Sequence, residues 1–285
     1  MSSETVLKAC ETENRRLAKR HYENFVIASV VLPRRLRQPF YNIYAFCRTA
    51  DDLADESPSP EIALERLQKF QNQLNATFAG HPPENLFLPL AQTIEQFSLT
   101  QEPFDDLLSA FRQDQTKTRY QTMGELLDYC RRSANPVGHI LLQLADSRDD
   151  ETAALSDQIC TGLQLANFWQ DIARDYQAGR VYLPQEQLER FDVTTEHLGR
   201  VTVTEPLRLL INEQCDFAEG FFRRGLPLAK KVPQWFAADI KLFAHGGLAT
   251  LNAIRRQDYD VLRRRPKVSK AQQAWLVTRA ALRIL

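Results

Sequence analysis

The 285-residue chain has no net charge, 36 Lys plus Arg standing against 36 Asp plus Glu. This removes any whole-chain argument for nucleic acid, which a strongly basic domain would supply. No run approaches the roughly 18 to 20 uninterrupted apolar residues that a membrane-spanning helix needs. The longest candidate, Phe25 to Leu32, has Ser29 inside it. The segment from Met1 to Arg20 is charged and polar, without the apolar core and small residues of a secretory signal, so a cytoplasmic location is expected. Cysteine is sparse and scattered (Cys10, Cys47, Cys130, Cys160, Cys215), never at C-x-x-C spacing, which argues against a disulfide framework or a zinc site. Glycine is equally sparse. No G-x-G-x-x-G follows a strand pattern and no G-x-S-x-G occurs, so neither a Rossmann nicotinamide site nor a serine-nucleophile elbow is expected. His81 and His197 stand in polar loops, and His139 and His245 lie among apolar residues with no second ligand at metal spacing.

What is present is helical periodicity. Leu36, Phe40, Ile43, Cys47 and Ala50 recur every three or four residues, as do Ile159, Leu163, Ala166 and Ala173. No comparable alternating segment appears. Pro58, Pro60, Pro82, Pro83, Gly179, Pro184, Pro227, Pro233 and Pro266 punctuate the periodic stretches and mark connections between helices. The expectation is an all-α chain forming one domain over residues 1–285, since there is neither an internal repeat nor a long low-complexity linker.

Within that pattern Asp51 and Asp55 stand four apart at the end of an apolar-periodic helix, on one face and about 6 Å apart along the axis. Asp146 with Asp150 and Asp171 with Asp175 repeat the spacing, but the segment Asp146-Ser-Arg-Asp-Asp150 reads as a polar connection. Context favours Asp171 with Asp175. Gln164, Asn167, Asp171 and Asp175 form a polar stripe on a helix otherwise covered by Leu163, Leu165, Ala166, Phe168, Trp169, Ile172 and Ala173. A helix that is apolar over most of its surface is usually buried, and a buried carboxylate stripe needs a cation to offset it. Two such stripes facing a cavity suit a diphosphate substrate, because carboxylates cannot hold phosphate directly and Mg²⁺ can join the two. Such a cluster stabilises a departing diphosphate, so a carbon–oxygen bond can ionise without a protein nucleophile. For both stripes the plain alternative is a solvated helix face.

The segments Tyr44-Ala-Phe-Cys-Arg48-Thr-Ala-Asp51-Asp52-Leu-Ala-Asp55, Thr118-Arg-Tyr120, Tyr129-Cys130 with Val137-Gly138, Asn167 to Asp175, Gly179-Arg180-Val-Tyr182-Leu-Pro184 and Tyr259 to Arg265 occur in this order along nearly the whole chain. In these blocks it resembles the squalene and phytoene synthase family of head-to-head prenyl-coupling enzymes. The resemblance implies a single large helical domain of the isoprenoid-synthase type, with a central cavity lined by two Asp-rich helices. It places Asp51, Asp55, Asn167, Asp171 and Asp175 on magnesium-binding positions, with Mn²⁺ an acceptable substitute. It places His21, Tyr44, Arg48, Gln164, Arg180 and Arg264 where diphosphate or its surroundings are contacted. Tyr129 falls on a tyrosine lining the site near the reacting diphosphate, the alternative being a buried tyrosine with a satisfied hydroxyl.

Four departures accompany the resemblance: the His21-Tyr-Glu-Asn24-Phe25 segment in place of a Ser-rich turn, Ser133-Ala-Asn135-Pro136, Gln170 in place of an arginine, and Gly246-Gly247 in place of an aromatic. The segments Glu23-Asn24-Phe25, Ser133-Ala-Asn135-Pro136-Val-Gly138 and Asn167-Phe-Trp-Gln170-Asp171 together are most similar to the hydroxysqualene synthase branch of bacterial hopanoid biosynthesis. That implies presqualene diphosphate as substrate, ionisation, cyclopropylcarbinyl rearrangement and capture of water, with no hydride donor. Gln170 and Gly247 are expected to make the pocket more polar and roomier, admitting a water. The alternatives are condensation of two prenyl diphosphates to presqualene diphosphate, dehydrosqualene or phytoene, and a non-catalytic helical protein at a membrane surface. The latter rests on a C-terminal tail with no acid after Asp260, in which Arg263, Arg264, Arg265, Lys267, Lys270, Arg279 and Arg283 accompany Trp275, Leu276, Ala280, Leu282 and Leu285. Such a tail is either a solvated helix or a peripheral contact to anionic lipid at the inner face of the membrane.

Overall fold

A computed structural model describes residues 3–20, 32–282 and 285. Among the described residues there are helices and no strand, apart from a single parallel bridge between Arg119 and Val181, in keeping with the all-α expectation. The chain divides into two compact units, one of residues 1–116 with 139–148 and the other of residues 117–138 with 149–285.

The first unit is built on α1 (Ser3–Arg20), α2 (Arg34–Asp55), α3 (Pro60–Phe78), α4 (Phe87–Phe97) and α5 (Glu102–Gln113). α2 packs against the other four helices and buries Leu36, Phe40, Ile43, Phe46, Ala50 and Ala54. Phe46 is fully buried, its ring centroid 5.1 Å from Phe70 and 5.0 Å from Phe104. Truncating such an aromatic to alanine costs about 3 to 5 kcal/mol. One polar tie crosses this core. The buried Asn42 donates to the Pro89 carbonyl and the Thr93 hydroxyl, both at 3.1 Å, and accepts from Asn14 at 3.1 Å, so no amide is left unpaired. α3 starts where Ser59 accepts from the Ile62 amide and Pro60 takes the first turn.

The second unit contains α6 (Met123–Ser133), α8 (Asp150–Gln177), α9 (Gln185–Arg190), α10 (Glu205–Gly225), α11 (Gln234–Arg256) and α12 (Lys270–Ala281). Between α6 and α8 runs α7 (Asn135–Leu144), inside which the boundary between the units falls. α8 is the axis, with α6, α10 and α11 packed on it. Its start is set by a capping box, Asp149 accepting from the Thr152 amide at 2.7 Å while Thr152 returns a bond to the Asp149 amide. Its end is set by Gly179, whose φ of +81° turns the chain so that the Arg180 amide meets the Asp175 carbonyl at 2.8 Å.

Candidate functional site

The first acidic motif occupies the last two turns of α2. Tyr44, Arg48, Asp51 and Asp55 recur at helical spacing, away from the face that buries Phe46, Ala50 and Ala54. The carboxylates already hold a cation: Arg48 pairs with Asp51 at 3.2 Å, more closely with Asp52, and reaches Glu56 at 3.8 Å. Burial raises the Tyr44 hydroxyl pKa; Arg48 opposes that shift, and Asp51 and Asp52 add to it. Burial first and Asp51 second push the neighbouring Cys47 thiol up to about 12, so it stays a neutral thiol. Asp55 is exposed.

The second motif occupies the C-terminal half of α8. Leu165, Ala166, Phe168, Trp169 and Ile172 are buried, whereas Gln164, Asp171 and Asp175 are half-buried and Asn167 is exposed, so the stripe read from spacing is a physical face of this helix. Burial and then the Asp171 charge push the Asp175 carboxyl up to about 7, against the opposing pull of Arg180, Arg174 and Arg265. Asp171 is engaged by Arg265 in a two-pronged ion pair, Nη2 donating to Oδ2 at 2.9 Å and Nε to Oδ1. The same Nη2 donates to Gln170 Oε1 at 2.9 Å, and Gln170 Nε2 donates to the Pro266 carbonyl at 2.6 Å.

Beside Asp175 lies a cleft lined by Phe168, Ile172, Arg180, Tyr182, Leu183 and Leu198. One wall is aromatic. Tyr182 stacks on Phe168 with centroids 3.8 Å apart and planes 13° apart, and Tyr129 lies 6.2 Å from Phe168 and 6.0 Å from Tyr182. Tyr120 follows at 5.6 Å from Tyr129, capped by the Lys117 ammonium 4.9 Å above its ring. The segment carrying Tyr182 is held in place through its backbone. The Val181 amide donates to the Thr118 carbonyl, the Gln185 amide to the Tyr120 carbonyl, both at 2.9 Å, and the Arg119 guanidinium to the Gly179 carbonyl at 2.5 Å.

The sites expected from sequence therefore form two clusters, one per unit: Tyr44, Arg48, Asp51 and Asp55 on α2, and Tyr129, Gln164, Asn167, Asp171, Asp175 and Arg180 on and beside α8. His21 lies outside the described residues. Arg264 is exposed, its carbonyl accepting from Gln257 at 2.9 Å; its neighbour Arg265 is the arginine that reaches the acidic stripe. Phe168, Tyr182, Asp52 and Arg265 belong to the surroundings of the motifs without having been singled out by spacing.

The expectation of a roomier pocket needs correction at Gly247, and the structure places two of the other departures in packing. Gly247 leaves no room for a water, because a Cβ there would overlap the fully buried Phe222 ring, with Cε1 2.6 Å away. Gln170 is itself buried and spends its amide on Pro266 and Arg265. Asn135 is buried in packing, accepting from the Thr161 hydroxyl at 3.0 Å. On the tail, α12 turns Leu276 and Ala280 inward while Trp275 and Leu282 stay exposed, so only part of the expected apolar set remains at the surface. Among the described residues no helix is long and apolar enough to cross a membrane.

A group of three or more His, Cys, Asp or Glu side chains poised to hold a metal ion does not occur among the described residues. The donors that are present, the carboxylate and amide oxygens of Gln164, Asn167, Asp171 and Asp175, are of the oxygen type that suits a hard cation such as Mg²⁺.

The family model for squalene/phytoene synthase matches residues 18–272. A crystal structure of a squalene synthase, HpnC, from Alicyclobacillus acidocaldarius is 42% identical, covers 89% of this chain and 96% of that one, and superposes with a TM-score of 0.85. A dehydrosqualene synthase crystallised with a ligand is 27% identical, covering 97% of this chain and 95% of that one, with a TM-score of 0.87. The chloroplastic phytoene synthase of Daucus carota is 29% identical over 263 residues, covering 88% of this chain. The chain spans 65% of the length of that plant protein.

Proposed function

The chain belongs to the squalene/phytoene synthase family, and on that premise we propose that it converts presqualene diphosphate and water to hydroxysqualene and diphosphate. The observation that carries the reading is the Asp171–Asp175 pair, two carboxylates on one helix face with one pushed up to about 7 by burial and by its neighbour. Such a pair is built for a cation, and the cation's natural companion is an anionic leaving group. The choice of reaction within the family is supported by the 42% identity to a squalene synthase over 89% of the chain, against 29% to a plant phytoene synthase.

In this reading Asp51 and Asp55 on α2, and Asn167, Asp171 and Asp175 on α8, would each hold Mg²⁺ or Mn²⁺, which would supply positive charge to diphosphate oxygens. Tyr44 and Arg48 on α2, and Gln164 and Arg180 on and beside α8, would contact diphosphate oxygens. The carbon–oxygen bond breaks with its electron pair leaving on diphosphate. The cyclopropylcarbinyl cation rearranges, water adds to it, and the added water loses its proton, so the alcohol and diphosphate account for all atoms. No hydride donor enters. Phe168 and Tyr182, stacked on each other, give the cleft beside Asp175 an apolar wall.

A second reading, condensation of two prenyl diphosphates, is favoured by the dehydrosqualene synthase likeness at a TM-score of 0.87. The two are separated by a product assay. Purified chain with Mg²⁺ and no nicotinamide cofactor is given presqualene diphosphate or farnesyl diphosphate, and the organic extract is mass-analysed. Hydroxysqualene from presqualene diphosphate alone is expected. Coupled C30 products from farnesyl diphosphate would transfer the assignment to the condensing reaction, and turnover of neither would return the chain to the non-catalytic, membrane-surface alternative.

A further inference from the structure

We propose that Arg265 is a resident counter-cation of the second acidic motif, held over Asp171 by Gln170 and displaced when divalent metal binds. The inference rests on the reading of Asp171 and Asp175 as metal ligands and adds to it a device that this chain's own residues build.

The device is a strap running from Gln257 to Ser269 between α11 and α12. At its start two successive non-glycine residues, Asp258 and Tyr259, hold φ of 53° and 59°. Aspartate tolerates this left-handed geometry, but for a tyrosine it is costly and persists only where surrounding contacts enforce it. The enforcing contacts are present: Arg208 binds both the carbonyl and the carboxylate of Asp258, and the Tyr259 hydroxyl donates to Asn212 at 2.6 Å. Gln257 adds bonds to the carbonyls of Asp260 at 3.1 Å and Arg264 at 2.9 Å. Farther along, the Gln170 amide grips the Pro266 carbonyl. Arg265 stands between these two anchors, and its guanidinium fork meets Asp171 with two bonds and Gln170 with a third.

Two features separate this arrangement from an ordinary surface ion pair. Asp171 is the more enclosed partner, its side chain 16% exposed against 44% for Arg265, so the cation lies on the solvent side and can leave without opening the core. Gln170, the buried residue next to Asp171, is neutral; it fixes the strap through a backbone carbonyl and an Arg265 nitrogen without adding a charge of its own. A cationic side chain at position 170 would compete for the same carboxylates, whereas an amide positions the competitor and leaves the contest to Arg265. Arg265 and Gln170 are thus positioning residues that set how readily the motif exchanges its own cation for a metal.

The test uses the full chain without any diphosphate, Mn²⁺ as the probe, and free Mn²⁺ read by electron paramagnetic resonance. Arg265→Ala is expected to tighten Mn²⁺ binding roughly five-fold, the value of a partly exposed ion pair removed from the competing state. Gln170→Ala, which leaves every charge in place and frees only the strap, is expected to move affinity in the same direction by less. Adding Asp171→Asn to Arg265→Ala is expected to abolish the gain. Unchanged or weaker Mn²⁺ binding in both single variants, with helical circular dichroism retained, would overturn the inference, as would a chain that binds no Mn²⁺ with or without Arg265. A chain that binds Mn²⁺ with the expected dependence on Arg265 but turns over no diphosphate would strike the proposed function and leave this inference standing.

Discussion

Asp239 is the most exposed to test of the structural claims, because it should not be comfortable where it is. It sits on α11 at 2% exposure, its Oδ1 has no hydrogen-bond partner, and burial alone pushes its carboxyl from 3.8 up to about 8. The unfolded chain loses this proton near its ordinary value while the folded chain keeps it, so the folded state binds more protons between about pH 4 and pH 8 and stability falls as pH rises through that window. At 1.36 kcal/mol per pKa unit, the cost at pH 7 is at most about 4 kcal/mol. Asp239→Asn removes the titration and keeps the shape; leaving an amide incompletely paired costs about 1 to 3 kcal/mol, so a net gain of about 1 to 3 kcal/mol at pH 7 is expected. The assay is urea unfolding of both proteins from pH 4.5 to 8.5, read as the difference between them so that other titrating groups cancel. The difference should grow by about 1.4 kcal/mol per pH unit over most of that range and then level off. A pH-independent difference would refute the reasoning.

Gly247→Ala places a methyl group against the buried Phe222 ring; overpacking of about 1 to 3 kcal/mol should outweigh a helix-propensity gain of about 1 kcal/mol. Thermal unfolding should show a lowered midpoint that Phe222→Leu in the same chain partly restores, and a single variant as stable as the parent would contradict the packing. Tyr129→Phe keeps the ring contacts with Phe168 and Tyr182 and deletes only the hydroxyl. If that hydroxyl acts near the diphosphate, turnover should drop at least roughly tenfold with little change in stability; full activity would make Tyr129 a packing residue.

The acidic stripe of α8 was legible in the sequence because a single helix carries it: spacing of three and four fixes which side chains share a face, and Gln164, Asn167, Asp171 and Asp175 do so. The same holds for Asp51 and Asp55 on α2, to which only the family resemblance joined Tyr44 and Arg48. Tyr182 and Arg265 had no such signal. Each reaches α8 from a non-helical segment, where no period says which way a side chain points; Tyr182 is placed by the backbone pairing of Val181 with Thr118, and Arg265 by the left-handed turn at Asp258 and Tyr259. In the run Arg263-Arg264-Arg265, that turn and the Gln170 bond to the Pro266 carbonyl together present Arg265 to Asp171. Gly247 was misread for a related reason. A missing side chain looks like empty space in one dimension, and the ring that fills it, Phe222, comes from α10 rather than from its own helix.

The central claim is that a diphosphate leaves and water takes its place on carbon. Incubating the chain with Mg²⁺ and presqualene diphosphate in water enriched in oxygen-18 tests both halves in one mass spectrum. The account requires an alcohol whose hydroxyl carries the heavy isotope, with diphosphate released in equal amount and none formed when Asp171 and Asp175 are both changed to Asn. An alcohol without the label, a hydrocarbon as the sole product, or undiminished turnover in the double variant would contradict it.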